Sequence, residues 1–172
     1  LASMVGNLTV GKKKYADVEE RMQAELVELA DTREHLLALI DEDARAFEPL
    51  AAAYGMPKGS DEERAAQSAA LQAALVDACE VPLEIMATSV QVIESCVFMA
   101  RHGSVLALSD AGAAAVLAKA ALQAASLNVV INIGSMDDAE RAEGYRNQME
   151  DLLAAGCAMA DEVYADVVKR LS

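Results

Sequence analysis

Three acidic residues in a row, Asp41-Glu42-Asp43, stand inside a strongly helical stretch that otherwise reads as core. Leu36, Ile40, Ala44, Phe47 and Ala51 recur at helical spacing and define one apolar face. At roughly 100° per residue, Glu42 points away from that face, Asp41 sits at its rim, and Asp43 falls on its flank between Ile40 and Phe47. A carboxylate on that flank is expected to be partly desolvated, which lifts its pKa toward the range useful for proton transfer at neutral pH. The same position also suits a structural carboxylate paired with a basic side chain of a neighbouring helix. Spacing alone leaves both readings open.

Further along, Asp110, Leu117, Ala121, Ala124, Asn128 and Asn132 fall within roughly 40° of one line on a helix. Small residues in the middle of that face let another backbone or a flat ligand approach closely. The two asparagines supply both donors and acceptors. They serve a ligand, or they satisfy helix-end groups and an interhelical contact. Lys12, Lys13 and Lys14 form the one dense basic spot, with Tyr15 next to them. Such a spot holds an anionic ligand, such as a phosphate or a polycarboxylate tail, or is simply a solvated turn. His35 and His102 are isolated, so no zinc-type ligand spacing exists and no metal is expected. No phosphate loop or paired nucleophile and base stands out.

The elements that must position these groups are helical. Hydrophobic residues make up 54% of the 172, aromatics only 3%, and there is no Trp, so packing must run through Ala, Leu, Val and Met. With three prolines and nine glycines, long helices are the expectation. The opening Leu1 to Val5 reads as the tail of a helix. A long helix is expected from about Tyr15 to Tyr54, bent near Pro49. Ser60 and Glu63 form a capping box for the next helix, which Pro82 is expected to break or kink. A further helix runs from about Leu83 to His102 and stops at Gly103. Ser109 is expected to cap the following helix, with Asp110 in its first turn. From Asp110 to Asp137 the sole charged residue in between is Lys119. That length suggests a membrane span, but Lys119, Gln123, Ser126, Asn128 and Asn132 interrupt it, and it reads as the almost fully buried central helix of a soluble bundle. Its Val129-Val130-Ile131 segment also suits a short strand. A charged amphipathic helix follows from Met136. The net charge of −14 argues against nucleic acid and anionic membranes as partners. Cys79, Cys96 and Cys157, odd in number and far apart, read as buried reduced thiols of a cytoplasmic protein. The expected architecture is one all-α domain over residues 1–172, an elongated bundle of long helices.

Several stretches taken together resemble the cyclodeaminase/cyclohydrolase family, which includes methenyltetrahydrofolate cyclohydrolases and the C-terminal half of formiminotransferase-cyclodeaminase. They are Ala2-Ser3-Met4-Val5-Gly6-Asn7-Leu8-Thr9-Val10-Gly11-Lys12-Lys13-Lys14-Tyr15, Leu39-Ile40-Asp41-Glu42-Asp43-Ala44-Arg45-Ala46-Phe47, and Ala53-Tyr54-Gly55-Met56-Pro57-Lys58. Val81-Pro82-Leu83-Glu84-Ile85-Met86, Ser109-Asp110-Ala111-Gly112 and Ala125-Ser126-Leu127-Asn128-Val129-Val130-Ile131-Asn132 follow in family order. The resemblance implies an all-helical homodimer that binds folate near the subunit contact, with Asp43 as the catalytic carboxylate. It further implies substrate contact at Ser109, Asp110, Asn128 and Asn132, and Lys12, Lys14 and Tyr15 join them as substrate-binding candidates. The implied reaction is hydrolysis of 5,10-methenyltetrahydrofolate to 10-formyltetrahydrofolate, with no cofactor beyond the folate substrate. Formiminotetrahydrofolate cyclodeaminase is the alternative chemistry, and a non-catalytic helical dimer or folate-binding remnant is the alternative of another class. Family members carry a glycine-rich segment ahead of the Ala2–Val5 stretch, and the expected domain begins without it.

Overall fold

The computed structural model describes residues 1–172 and contains helices and turns throughout. A short helix, α1 (Ala2–Asn7), leads through a 3-10 segment (Lys13–Val18) into α2 (Glu19–Tyr54). Glu19 and Glu20 occupy the first turn of α2, where the helix dipole favours negative charge. Pro49 lies inside α2, and Gly55 closes it. Ser60 then starts α3 (Asp61–His102) with the capping box: its hydroxyl accepts from the Glu63 N–H, and Glu63 Oε2 accepts from the Ser60 N–H, both at 3.1 Å.

The break expected at Pro82 is absent, and α3 runs through it as one helix of 42 residues. A proline inside a helix has no N–H for the carbonyl four residues back, here Ala78. That carbonyl accepts instead from Asn132 Nδ2 of a neighbouring helix at 2.6 Å. A tertiary hydrogen bond thus replaces the missing helical one. At the other end, a Cβ on Gly103 would lie 2.5 Å from both the Met99 carbonyl oxygen and Val5 Cγ1, so space requires glycine there.

A 3-10 turn (Val105–Ala107) precedes α4 (Leu108–Ile133). Ser109 does not cap α4; it lies within the first turn, because the 3-10 turn already starts the helix at Leu108. The Val129-Val130-Ile131 segment is helical. Nor is α4 almost fully buried. Leu108, Ala111, Ala115, Leu122, Val129 and Ile133 face the core, whereas Leu117, Leu127 and Ile131 are 62%, 69% and 68% exposed. The reason is topological: α3 and α5 cover two sides of α4, and little of this chain covers the third. Asp138 caps α5 (Ala139–Leu171) by accepting from the Arg141 N–H, and Lys169 and Arg170 close its last turn.

Most of the core is one cluster of 26 buried residues drawn from α1 to α5 and the turn before α4. A separate cluster of four, Leu50, Ala74, Leu75 and Ala78, holds the far end of α2 against α3. Close approach inside the bundle uses glycine: a Cβ on Gly156 of α5 would lie 2.5 Å from Leu122 Cδ2 and 3.0 Å from Val90 Cγ2. Lys119 bridges α4 to α5 through Asp161, at 2.6 and 2.7 Å. All three cysteines are free; Cys79 and Cys96 are buried as expected, but Cys157 on α5 is only half-buried. Burial pushes the Cys79 thiol up to about 11 and the Cys96 thiol up to about 12.

Candidate functional site

Asp43 lies two thirds of the way along α2 and lines a cavity of about 280 Å³. Ala46, Phe47, Leu50 and Tyr54 complete the α2 wall, Ala78 and Pro82 come from α3, and Asn128, Ile131 and Asn132 from α4. On α2 these residues repeat at three and four, so one helical face carries the acid and both aromatic rings. On α4 the two asparagines are one turn apart, and both line the cavity. The cavity therefore holds one carboxylate, two carboxamides, a phenol and a phenyl ring, with no cationic side chain.

The surroundings of Asp43 differ from those expected. Its side chain is exposed in the single chain, and Ile40, Ala44 and Ala51 of the apolar stripe expected to bury it are exposed as well, with Phe47 59% exposed. Along the second half of α2 the inward face is instead Leu39, Leu50 and Ala53, offset by about 100° from the stripe. Helix α2 lies on the outside of the bundle with α3 as its main neighbour, so only a narrow strip is covered. Glu42 is also exposed but does not line the cavity.

The other candidates do not join this pocket. Lys14 and Tyr15 line a cavity of about 220 Å³ at the opposite end of the bundle, with Asp17, Arg101, His102 and Arg170. There the Tyr15 hydroxyl accepts from the Val105 N–H at 3.3 Å, and that bond holds its pKa below the usual phenol value. Lys12 is exposed just before that turn, and Ser109 and Asp110 begin α4 at the same end. Along α2, the start of the helix is roughly 36 Å from Asp43 at 1.5 Å per residue. Along α4, Asp110 is roughly 33 Å from Asn132 by the same measure.

Phe47, Tyr54, Ala78 and Pro82 were not singled out from the sequence as site residues, although all lie in or beside the shared motifs. A proline within a helical stretch is a usable signal, since it leaves a carbonyl that some other group must satisfy. A larger cavity, about 480 Å³, lies between the first half of α2 and the second half of α3. It is lined by Glu25, Glu28, Asp31 and Glu94 against Arg21 and holds none of the candidates. Glu25 is buried there, paired with Arg21 through Oε1, while its Oε2 has no partner.

Fold and pocket define a class: an all-helical bundle with a carboxylate–carboxamide pocket between three long helices. A family profile described as formiminotransferase-cyclodeaminase matches residues 1–151. The methenyltetrahydrofolate cyclohydrolase of Methylorubrum extorquens is 39% identical over 172 residues, covering 100% of this chain and 83% of that protein. The rat formimidoyltransferase-cyclodeaminase is 33% identical over 153 residues, but the match spans only 28% of its length. The formiminotetrahydrofolate cyclodeaminase of Thermotoga maritima superposes with a TM-score of 0.77 at 32% identity, covering 98% of this chain and 78% of that one. The chain belongs to the formiminotransferase-cyclodeaminase family.

Proposed function

We propose that this protein hydrolyses 5,10-methenyltetrahydrofolate to 10-formyltetrahydrofolate, with Asp43 as the proton-transfer group. The observation that carries the reading is the pocket's composition: one carboxylate, two amides and two aromatic rings, with no cation among the lining residues. That set suits a flat heterocycle bearing the positive charge of an amidinium, which a carboxylate stabilises and a lysine or arginine would repel. Asn128 and Asn132 contact the ring system, and Asp43 faces the bridging carbon.

Water adds its oxygen to that carbon and gives up a proton to Asp43. The carbon–N5 bond then breaks as the added hydroxyl loses its proton and becomes the formyl oxygen on N10. One of the two protons goes to N5 and one to solvent, so cation plus water gives neutral product plus a proton. General acid–base help of this kind contributes about 10²–10⁴ in rate. The cyclodeaminase reaction needs the same carboxylate but expels ammonia. Identity of 39% across the whole chain to a cyclohydrolase favours hydrolysis.

Lys12, Lys14, Tyr15, Ser109 and Asp110 lie too far from Asp43 in one chain to touch the same ring system, so any contact they make to it comes from a second copy. The exposed apolar side chains around the pocket, Ile40 and Phe47 on α2 with Leu127 and Ile131 on α4, supply a face for that copy. We therefore take the working form to be a homodimer. A cytoplasmic setting fits the three free thiols.

The test is loss of the methenyl chromophore in buffer with and without the protein. Enzyme-dependent loss, unchanged by chelator, is expected. Chelator-sensitive activity would overturn the metal-free chemistry, and ammonia release from formiminotetrahydrofolate at comparable efficiency would move the assignment to the cyclodeaminase.

A further inference from the structure

We infer that Pro82 is a positioning residue for the pocket: the carbonyl it leaves unpaired in α3 fixes the orientation of Asn132. Pro82 is buried in the wall of the cavity that holds Asp43. It has no N–H, so the Ala78 carbonyl lacks its helical partner. That carbonyl can only accept, and it receives Asn132 Nδ2 at 2.6 Å. Once the amide nitrogen is committed to Ala78, the other half of the amide is determined. The flipped amide, with Oδ1 against the Ala78 carbonyl, is excluded, so Oδ1 stays on the side away from Ala78 as an acceptor with no partner in the chain, beside the second Nδ2 hydrogen.

The consequence is a rule for what the pocket accepts. Oδ1 can only accept, so the part of a ligand opposite it must carry an N–H donor. An amide free to rotate would take either a donor or an acceptor there. Locked by Ala78, it discriminates against an acceptor placed opposite Oδ1, because two carbonyl-type oxygens would face each other unpaired. The identity of that ligand as a reduced folate rests on the proposed function; the locking of the amide does not.

Two double-mutant cycles on the full chain separate these statements. The first compares Pro82→Ala, Asn132→Ala and the double variant by urea denaturation. With Pro82 in place, Asn132→Ala strands the Ala78 carbonyl and should lower the midpoint. In the Pro82→Ala background the new backbone N–H at that position can reclaim the carbonyl, so the same substitution should shift the midpoint less than about half as far. Additive shifts would overturn the inference whatever the substrate.

The second cycle measures KM and kcat with 5,10-methenyltetrahydrofolate. Pro82→Ala should raise KM roughly three- to tenfold, the scale of one hydrogen bond, with kcat changed less than about twofold. It should add little further in the Asn132→Ala background. A purely structural proline would alter stability without this split, so unchanged KM in a folded Pro82→Ala protein would overturn the positioning role. Coupled stabilities with no turnover by any variant, wild type included, would instead count against the proposed reaction alone.

Discussion

Asp43 and Glu42 share charge, element and exposure, yet only Asp43 lines the pocket, which makes them a matched pair. Asp43→Asn keeps the shape and removes the transferable proton. Turnover is expected to fall by about 10²–10⁴ with little change in unfolding midpoint. Glu42→Gln is expected to stay within about twofold of wild type, since it removes an exposed charge that contacts nothing in the cavity. Equal effects from the two, measured as kcat/KM, would remove Asp43 from the mechanism. The acidic residue was legible because helical spacing places it on a definite side of α2. Its burial was not, because α2 carries two apolar stripes about 100° apart, and only tertiary packing decides which one turns inward. Asn128 and Asn132 were legible as an i, i+4 pair. Tyr54 and Pro82 were not, because their place in the pocket depends on how α2 and α3 fold back on one another.

Among the elements, α5 carries one tightly packed glycine and one in open space. Gly156 meets Leu122 and Val90 at distances that leave no room for a methyl group, so Gly156→Ala is expected to cost about 1–3 kcal/mol in urea denaturation. A Cβ on Gly144, on the same helix, would meet nothing within 4 Å. Gly144→Ala should stabilise by about 0.4–1 kcal/mol through reduced unfolded-state freedom and better helix propensity. Opposite signs from one chemical change would show that packing between α4 and α5, not propensity, holds this helix. The capping box at Ser60 and Glu63 was readable from the chain because it is local. The continuity of α3 through Pro82 was not, because the side chain that satisfies the Ala78 carbonyl lies 54 residues further along, on α4.

At the scale of the molecule, the exposed apolar band is the main unexplained surface. Leu37, Ile40 and Phe47 on α2 and Leu117, Leu127 and Ile131 on α4 are each more than half exposed. Monomeric proteins rarely leave contiguous apolar surface of this kind open. Sedimentation velocity is expected to give a dimer, and Leu127→Glu should shift it toward monomer by placing a charge on the band. A wild-type monomer at tens of micromolar, by contrast, would leave the pocket open to water and remove the second copy from the proposed site. The all-α class was legible from composition, whereas the exposed side of α4 was not. A stretch with so few charges reads as buried whether a neighbouring helix or a neighbouring subunit covers it.

The two clusters of the core imply an uneven response to thermal fluctuation. The end of α2 that carries Phe47 and Tyr54 is pinned mainly through Leu50 to a cluster of four residues, while the rest of the bundle shares a cluster of 26. The last turns of α2 should therefore open without the remainder of the bundle unfolding, with a smaller free energy than the core of α3 or α4. Amide hydrogen exchange over residues 46–56 is expected to be faster than over residues 86–100, and a bound folate should slow it. In that event the pocket wall is the least stable part of the bundle, and ligand would enter by local fraying of α2 without a hinge between domains.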